Sequence, residues 1–428
     1  MKLAINGGPK VRTKLFPSQD TFDKDEYIAV MKTMFNGRLS NYRANWTEDF
    51  YGGPNVRRLE RDWSDKFGST FSIAVNSATS GLIAACGAIG LKPGDEIIVT
   101  PYSMTCSATV PLMFGAIPIF ADVEPEHFCL DPASVEQRIT PRTKAIIAVS
   151  LFGQPYDPRI NKIANDHKLY VIEDAAQAPG AKYKDNFTGT LADIGIFSFN
   201  YGKHMNAGEG GIITTNDIEL DLRCRLFMNN GDAVVNDIEK EGTFAFDTDI
   251  VGYNFRMTEL TAAVAIEQLK KLDDLLEKRM ANVLKLDVMM LDDIYCIREP
   301  EPRPFCTHTC YVLPYLWTNK ELHRDKYIEA VKAELMPRKD RDTEGVPIGC
   351  GYIKPIYLMP LFQSQAHWAF KQSSYKQVYE EGLCPVAERL WKDELFLTLL
   401  HAPNSKPIDM QDVGDAFIKV WENKDELF

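Results

Sequence analysis

No stretch of this 428-residue sequence approaches the 18 or so consecutive apolar residues a membrane-spanning helix needs, so no such helix is expected. Basic residues are in deficit, with 48 Lys and Arg against 60 Asp and Glu, a net charge of −12. That balance argues against a nucleic-acid-binding face and against docking on anionic lipid. It leaves room for a small anionic ligand, because a local pocket can oppose the net sign. The opening MKLAINGGPK lacks the apolar core of a secretion signal. Cysteines number nine, an odd count, and most lie scattered in apolar stretches, the usage of a reduced intracellular chain. The expected location is the cytoplasm. There is no internal repeat and no low-complexity tract, and 45% hydrophobic with 25% charged residues is an ordinary globular balance. Long disorder is excluded. Nucleotide-binding signatures are missing too: no GxGxxG follows the first strand-like run. The position six before Lys203 is Phe197 where a Walker A lysine needs Gly, and His204 follows where Ser or Thr belongs.

What is present is a series of short apolar runs: FSIAV (71–75), EIIVT (96–100), IPIFA (117–121), KAIIAV (144–149), LYVIE (169–173), IGIFSF (194–199) and GIITT (211–215). Most are continuous, as for strands buried on both faces. Helix-like stretches lie between several of them. Residues 78–90 place Leu82, Ala85, Cys86 and Ile89 on one stripe, followed by a PGD turn. The alternation predicts an α/β fold with a mainly parallel sheet of about seven strands. Near residue 258 the pattern changes to a helical one with Leu or Ile at 266, 269, 272, 276 and 286. One long helix, two in series or a coiled coil would fit. Beyond it, a strand in TCYVLPYLW (309–317) and helices near 323–335 and 409–421 predict a smaller α+β domain. The expected division is 1–275 and 276–428, the first including an N-terminal arm.

Three segments carry chemistry. NSATSG (76–81) stands where a strand turns into a helix, whose free N–H groups suit a phosphate; a plain N-cap is the alternative. In VIEDAAQAPGA (171–181), Glu173 and Asp174 end a buried strand, where ligands of open α/β sheets bind. A carboxylate there suits a cation or a protonated ring nitrogen, or else caps a helix. In FSFNYGKHMNAGEGGIITT (197–215), Lys203 follows a buried strand and precedes a glycine-rich turn. A lysine desolvated near a sheet edge can lose its proton and attack a carbonyl as a Schiff-base nucleophile, though most lysines simply face solvent. Cys306-Thr-His308-Thr-Cys310 resembles a metal clip but fits strand alternation, and no metal site is expected. Cys384-Pro385 reads as a buried thiol ending a turn.

In order along the chain, NSATSG, EDAAQAPGA, SFNYGKHMNAGEGG and GYNFRMTELTAA (252–263) resemble the motifs of the DegT/StrS-type aminotransferases. The likeness runs from INGGPKVR at the start to CPVAERLWKDELF (384–396). It implies the fold-type-I aminotransferase architecture, with a large seven-stranded domain and a smaller C-terminal one. It also implies pyridoxal 5′-phosphate, alternating with its pyridoxamine form, bound covalently by Lys203, which then shuttles the proton. Asp174 would pair with the pyridinium nitrogen, and Gln177 would hydrogen-bond the phenolic oxygen. Thr79, Ser80 and Ser198 would hold the phosphate. Asn254 would reach the phosphate of a neighbouring subunit, making a homodimer with shared active sites. Many relatives place an aromatic ring over the cofactor where this chain has Met104, whose thioether can also cover a ring. The implied reaction moves an amino group from glutamate or glutamine to a keto-sugar, often nucleotide-linked, or to a keto-cyclitol. Two alternatives are a sugar dehydratase of the same fold, in which histidine replaces the lysine, and a non-catalytic relative. Arg43, Trp46, Tyr51 and Arg57 lie in a segment that could approach the substrate or make subunit contacts.

Overall fold

The computed structural model describes residues 1–42, 48–231, 250–373 and 377–428. All seven apolar runs form strands of one sheet. They are β1 Phe71–Val75, β2 Glu96–Val99, β3 Ile117–Phe120, β4 Thr143–Val149 and β5 Tyr170–Asp174, then, after a small hairpin of β6 Lys182–Tyr183 and β7 Asn186–Phe187, β8 Ile194–Ser198 and β9 Gly211–Thr215. The spatial order is β1-β9-β8-β5-β4-β2-β3. From β8 to β3 neighbouring strands are parallel, while β9 runs antiparallel to both β1 and β8. A short connection lets a strand return only antiparallel, whereas parallel neighbours need a helical crossover. The β8–β9 connection is the segment that holds Lys203.

Among the N-terminal helices are α1 Lys24–Asn36, α2 Pro54–Phe67, α3 Ala78–Ala88 and α4 Cys106–Met113. Helix α3 differs from the one-sided stripe its sequence predicts: every residue from Ser80 to Ala88 is buried. It lies between the sheet and a neighbouring helix, so no face meets water. A Cβ at Gly87 would stand 2.0 Å from the Phe227 ring, which is why the helix carries glycine there.

The change near residue 258 resolves as one uninterrupted helix, Glu259–Asp293, capped by Thr258, whose side chain accepts from the Thr261 N–H. It is not a coiled coil. Its first half buries Ile266, Leu269 and Leu272 with Val56, Leu59 and Trp63 of α2. Its second half buries Val283, Leu286 and Met290 in another core, with Tyr315, Phe396 and Phe417. That core is built on β12 Leu313–Trp317 and β14 Leu395–Thr398, flanked by β10 Ile297–Arg298 and β13 Ile348–Cys350 in the antiparallel order β10-β12-β14-β13. Helices Arg324–Glu334 and Pro407–Glu422 cover it. Leu3 and Phe16 of the N-terminal arm also pack there, whereas Ile356, Phe362 and Leu390 join the core of the large sheet. The two-residue β11 Cys306–Thr307 pairs with β6 beside the large sheet.

Candidate active site

Lys203 follows β8 in a turn closed by its own N–H to the Asn200 carbonyl at 2.8 Å. The chain returns through Gly208, whose φ of +80° is the left-handed conformation glycine adopts without strain. The Lys203 Nζ stands 4.3 Å from the centre of the Tyr311 ring. Ser198, the last residue of β8, is half-buried and its hydroxyl accepts from Asn200 N at 3.3 Å.

Asp174 ends β5, between β4 and β8, and is buried. Its Oδ1 accepts from Ala176 N at 3.1 Å and its Oδ2 from the Ser107 hydroxyl at 3.2 Å. Burial holds its carboxyl above the usual range, opposed mainly by the charge of Lys203. Strand alternation sends the preceding Glu173 to the other face. There it takes Ser150 Oγ at 2.7 Å and Gly189 N at 2.6 Å, and burial pushes it up to about 7. Of the two acids in this motif, Asp174 alone faces Ser107 and the charge of Lys203.

Gln177 is buried, and its Oε1 accepts from Phe152 N at 2.9 Å. Its Nε2 donates to the Tyr352 hydroxyl at 3.0 Å, leaving a second amide hydrogen. At the start of α3, Ser77 caps the helix by accepting from Ser80 N at 3.1 Å. The Ser80 hydroxyl lies 2.9 Å from Ser77 Oγ, and Thr79 is exposed. The first residue of β9 approaches this cap so closely that a Cβ on Gly211 would be 2.7 Å from Ala78 N. The close approach packs the end of β9 against the first turn of α3.

Cys106, at the start of α4, ties these parts together. Burial pushes its thiol up to about 11, and the nearby Asp174 charge raises it further while Lys203 opposes the rise. Met104 lies two residues earlier, 54% exposed, in the loop between β2 and α4. Asn254 is exposed, in a short antiparallel bridge with Asn229. The next residues follow the end of β1: Asn76 N donates to Phe255 O at 2.8 Å, one residue before the helix cap.

Arg43 and Trp46 lie outside the described residues. Arg57 pairs with Glu48 at 3.3 Å, and Tyr51 packs edge-on against Phe50, with Arg225 5.0 Å from its ring centre. The Cys306–Cys310 segment departs from the expected strand alternation. Only Cys306 and Thr307 are in a strand. Cys310 has φ +46°, and its N–H donates to His308 Nδ1 at 2.8 Å, so a turn and not strand alternation sets the spacing. Cys384 is buried ahead of the short helix Pro385–Arg389, and burial pushes its thiol far up.

Sequence reasoning missed Ser107, Cys106, Tyr311 and Tyr352. Ser107 and Cys106 sit in the same PYSMTCSAT segment as Met104 and were within reach of it. The two tyrosines come from a distant part of the chain and carry no local signal.

The family model of the DegT/DnrJ/EryC1/StrS aminotransferases matches residues 40–417. The chain is 30% identical to the L-glutamine:2-deoxy-scyllo-inosose aminotransferase of Streptoalloteichus tenebrarius, over 99% of each chain. It is 41% identical over 229 residues to the GDP-perosamine synthase of Caulobacter vibrioides, covering 53% of this chain and 59% of that one. Among solved structures it resembles the aminotransferase from Psychrobacter cryohalolentis, with a TM-score of 0.81 and 29% identity over 95% of this chain and 99% of that one. By these matches and by its architecture, the chain belongs to the DegT/DnrJ/EryC1/StrS aminotransferase family.

Proposed function

We propose that this aminotransferase uses pyridoxal 5′-phosphate on Lys203 to move an amino group from L-glutamine or L-glutamate to a ring ketone, either of a polyhydroxylated cyclitol or of a sugar. The observation that carries the reading is the shared end of three neighbouring strands: Asp174 pairs in register with Ile196 on β8, Ser198 pairs with Gly211 on β9, and Gly211 lies against the start of α3. A phosphate-binding helix start, a buried carboxylate and a lysine amine thus surround one space. These residues fit the cofactor. Among the described residues the carboxylate is buried with no guanidinium against it and only the Lys203 charge opposing its burial, so a protonated ring nitrogen would suit it. The free N–H groups at the start of α3 suit a phosphate, with Thr79, Ser80 and Ser198 as hydroxyl donors.

When bound, the cofactor supplies an electron sink for the carbanion left when a proton departs beside nitrogen. The rest falls to the protein. Asp174 keeps the ring nitrogen protonated, because an opposite charge favours the protonated form. Ser107 and the Ala176 N–H each occupy one Asp174 oxygen and so fix the direction of its free lone pairs. The amine of Lys203, once released, takes the proton at one carbon and returns it at the next. Gln177 offers its second amide hydrogen to the phenolic oxygen. Asn254 extends to the site of a second copy, and the homodimer reading is supported by the exposed apolar side chains of α1, namely Tyr27, Met31, Met34 and Phe35. The two-domain division at about residue 275 remains our reading too, with the long helix crossing it.

The ring-ketone class is supported by the full-length similarity to an inosose aminotransferase and the shorter one to a perosamine synthase. A dehydratase is disfavoured because lysine occupies position 203, while the adjacent His204 is buried and its Nε2 is 2.9 Å from the Thr309 carbonyl oxygen. The test loads the enzyme with pyridoxamine phosphate and offers keto-inositols and nucleotide-linked keto-sugars. Return of the visible band with one class identifies the acceptor. No return with any of them, in enzyme that accepts amino groups from glutamine, would overturn the reading.

A further inference from the structure

The short helical turn Lys339–Arg341 lies over the Lys203 hairpin, although the two are far apart in sequence. The N-terminal arm stitches them together. Phe16 N donates to Pro337 O at 3.0 Å and Lys339 N to Phe16 O at 2.9 Å. Three residues on, Gln19 bridges the gap: its Oε1 accepts from Arg338 Nη1 at 2.6 Å and its Nε2 donates to Gly202 O at 3.2 Å. Gly202 directly precedes Lys203.

This scaffold brings the Arg341 guanidinium to the hairpin. Its carbon is 4.8 Å from the centre of the Tyr201 ring. A Cβ placed on Gly202 would stand 3.7 Å from Arg341 Nη2 and 3.8 Å from the Tyr311 hydroxyl, the same tyrosine whose ring faces Lys203 Nζ. The guanidinium is poorly satisfied. Among the described residues its Nε is buried without a hydrogen-bond partner and Nη1 reaches only Glu344, at 3.2 Å, on an exposed side chain. A planar cation with an unpaired inner N–H, stacked on a ring and fixed beside the reactive lysine, suits a carboxylate.

We propose that Arg341 reads the carboxylate of the amino donor. An amino acid brings a carboxylate to every turnover, and a chain of net charge −12 repels it unless a local cation receives it. A keto-cyclitol offers no charge for a guanidinium to pair with. The phosphate of a nucleotide-linked acceptor presents similar anionic oxygens, and the two half-reactions separate these sources. The proposal rests on Lys203 as the covalent lysine. That is checked first, by mapping the lysine that borohydride fixes to the cofactor; a different lysine overturns that reading before any donor is added.

The holoenzyme and its Arg341→Gln and Glu344→Gln variants are then mixed with L-glutamine while the visible band is followed. Arg341→Gln should raise the half-saturating donor concentration about 10- to 100-fold, with the plateau rate little changed. Its reaction with the keto acceptor, started from the pyridoxamine form, should keep the wild-type constant. Glu344→Gln alters only an exposed residue and frees Nη1, so it should lower the donor constant about two-fold. Glutarate, which has carboxylates and no amine, should bind wild-type holoenzyme and weaken in Arg341→Gln by a similar factor, read by titration calorimetry. If Arg341→Gln fails to fold, Glu344→Gln alone decides. Donor constants unmoved in the variants that fold, or a rise confined to the acceptor half-reaction, would overturn the proposal.

Discussion

The Ser107 hydroxyl donates to Asp174 Oδ2 at 3.2 Å, from a helix that enters the site opposite the strand carrying the acid. Burial raises the Asp174 carboxyl, and this bond works against that rise by favouring the charged form. The acid is thus kept from solvent and aimed at the same time.

Lys203→Ala should bind pyridoxal phosphate without a borohydride-reducible link and should lose transamination. Mass spectrometry of the reduced, digested wild type should find the cofactor on Lys203. Near wild-type turnover by Lys203→Ala would end the covalent assignment.

Asp174→Asn should keep the covalent link and lose most of the rate, since a neutral amide does not hold the ring proton. Ser107→Ala should cost less, about 10- to 100-fold in rate, because one hydrogen bond to a charged group is worth about 1.5–3 kcal/mol and Ala176 N remains. Single-turnover kinetics with L-glutamine would rank the two. Equal losses would mean that Ser107 does more than orient the acid.

Met104→Phe should be tolerated or should tighten cofactor binding, because it restores the ring that many relatives use at this place. The change meets little steric resistance at a side chain that is 54% exposed. Fluorescence titration of the apoenzyme with pyridoxal phosphate gives the constant. Strongly weakened binding would place Met104 away from the ring.

Asn254→Ala should retain the cofactor less well, by about 1.5–3 kcal/mol if it bonds a phosphate. Dialysis followed by absorbance would show the loss, and light scattering should report a dimer. A fully active, fully loaded monomer would contradict the shared site.

Asp287 is remote from this chemistry. Burial pushes it up to about 7, and the Tyr315 hydroxyl donates to its Oδ1 at 2.6 Å. An acid whose pKa is raised on folding adds stability that is fully present below the unfolded value and lost as pH rises through the folded one. That window runs from the ordinary aspartate value of 3.8 to about 7. Asp287→Asn removes the ionisation, so its melting temperature should gain on wild type as pH rises from 4 to 8, by about 4 kcal/mol in stability. Parallel melting curves across that range would refute the burial argument.

Much of this molecule was legible in one dimension. All seven strands follow from continuous β-branched and aromatic runs, because a strand covered on both faces needs no polar alternation. Lys203 and Asp174 drew attention for a related reason: Asp174 ends a buried strand and Lys203 follows one, at the sheet end where open α/β folds bind ligands. The single helix Glu259–Asp293 was only half legible. Its periodicity announced a helix, but the same seam fits a coiled coil until its partners, α2 and the C-terminal core, are known.

What the sequence by itself determined, then, is the order of strands and helices and the residues brought to the ends of the strands, since these depend on local periodicity and on which side chains shun water. Only the tertiary structure decided which face each occupies and what lies opposite. It turns Glu173 to Ser150 and Gly189 and Asp174 to Ser107, buries α3 on all sides, sets Tyr311 and Arg341 against the Lys203 hairpin, and sets Tyr352 against Gln177, each more than a hundred residues earlier in the chain. Such encounters come from the packing of two cores joined by one helix and an N-terminal arm. No local spacing encodes them, because the free energy that holds them is shared among surfaces distant in the chain.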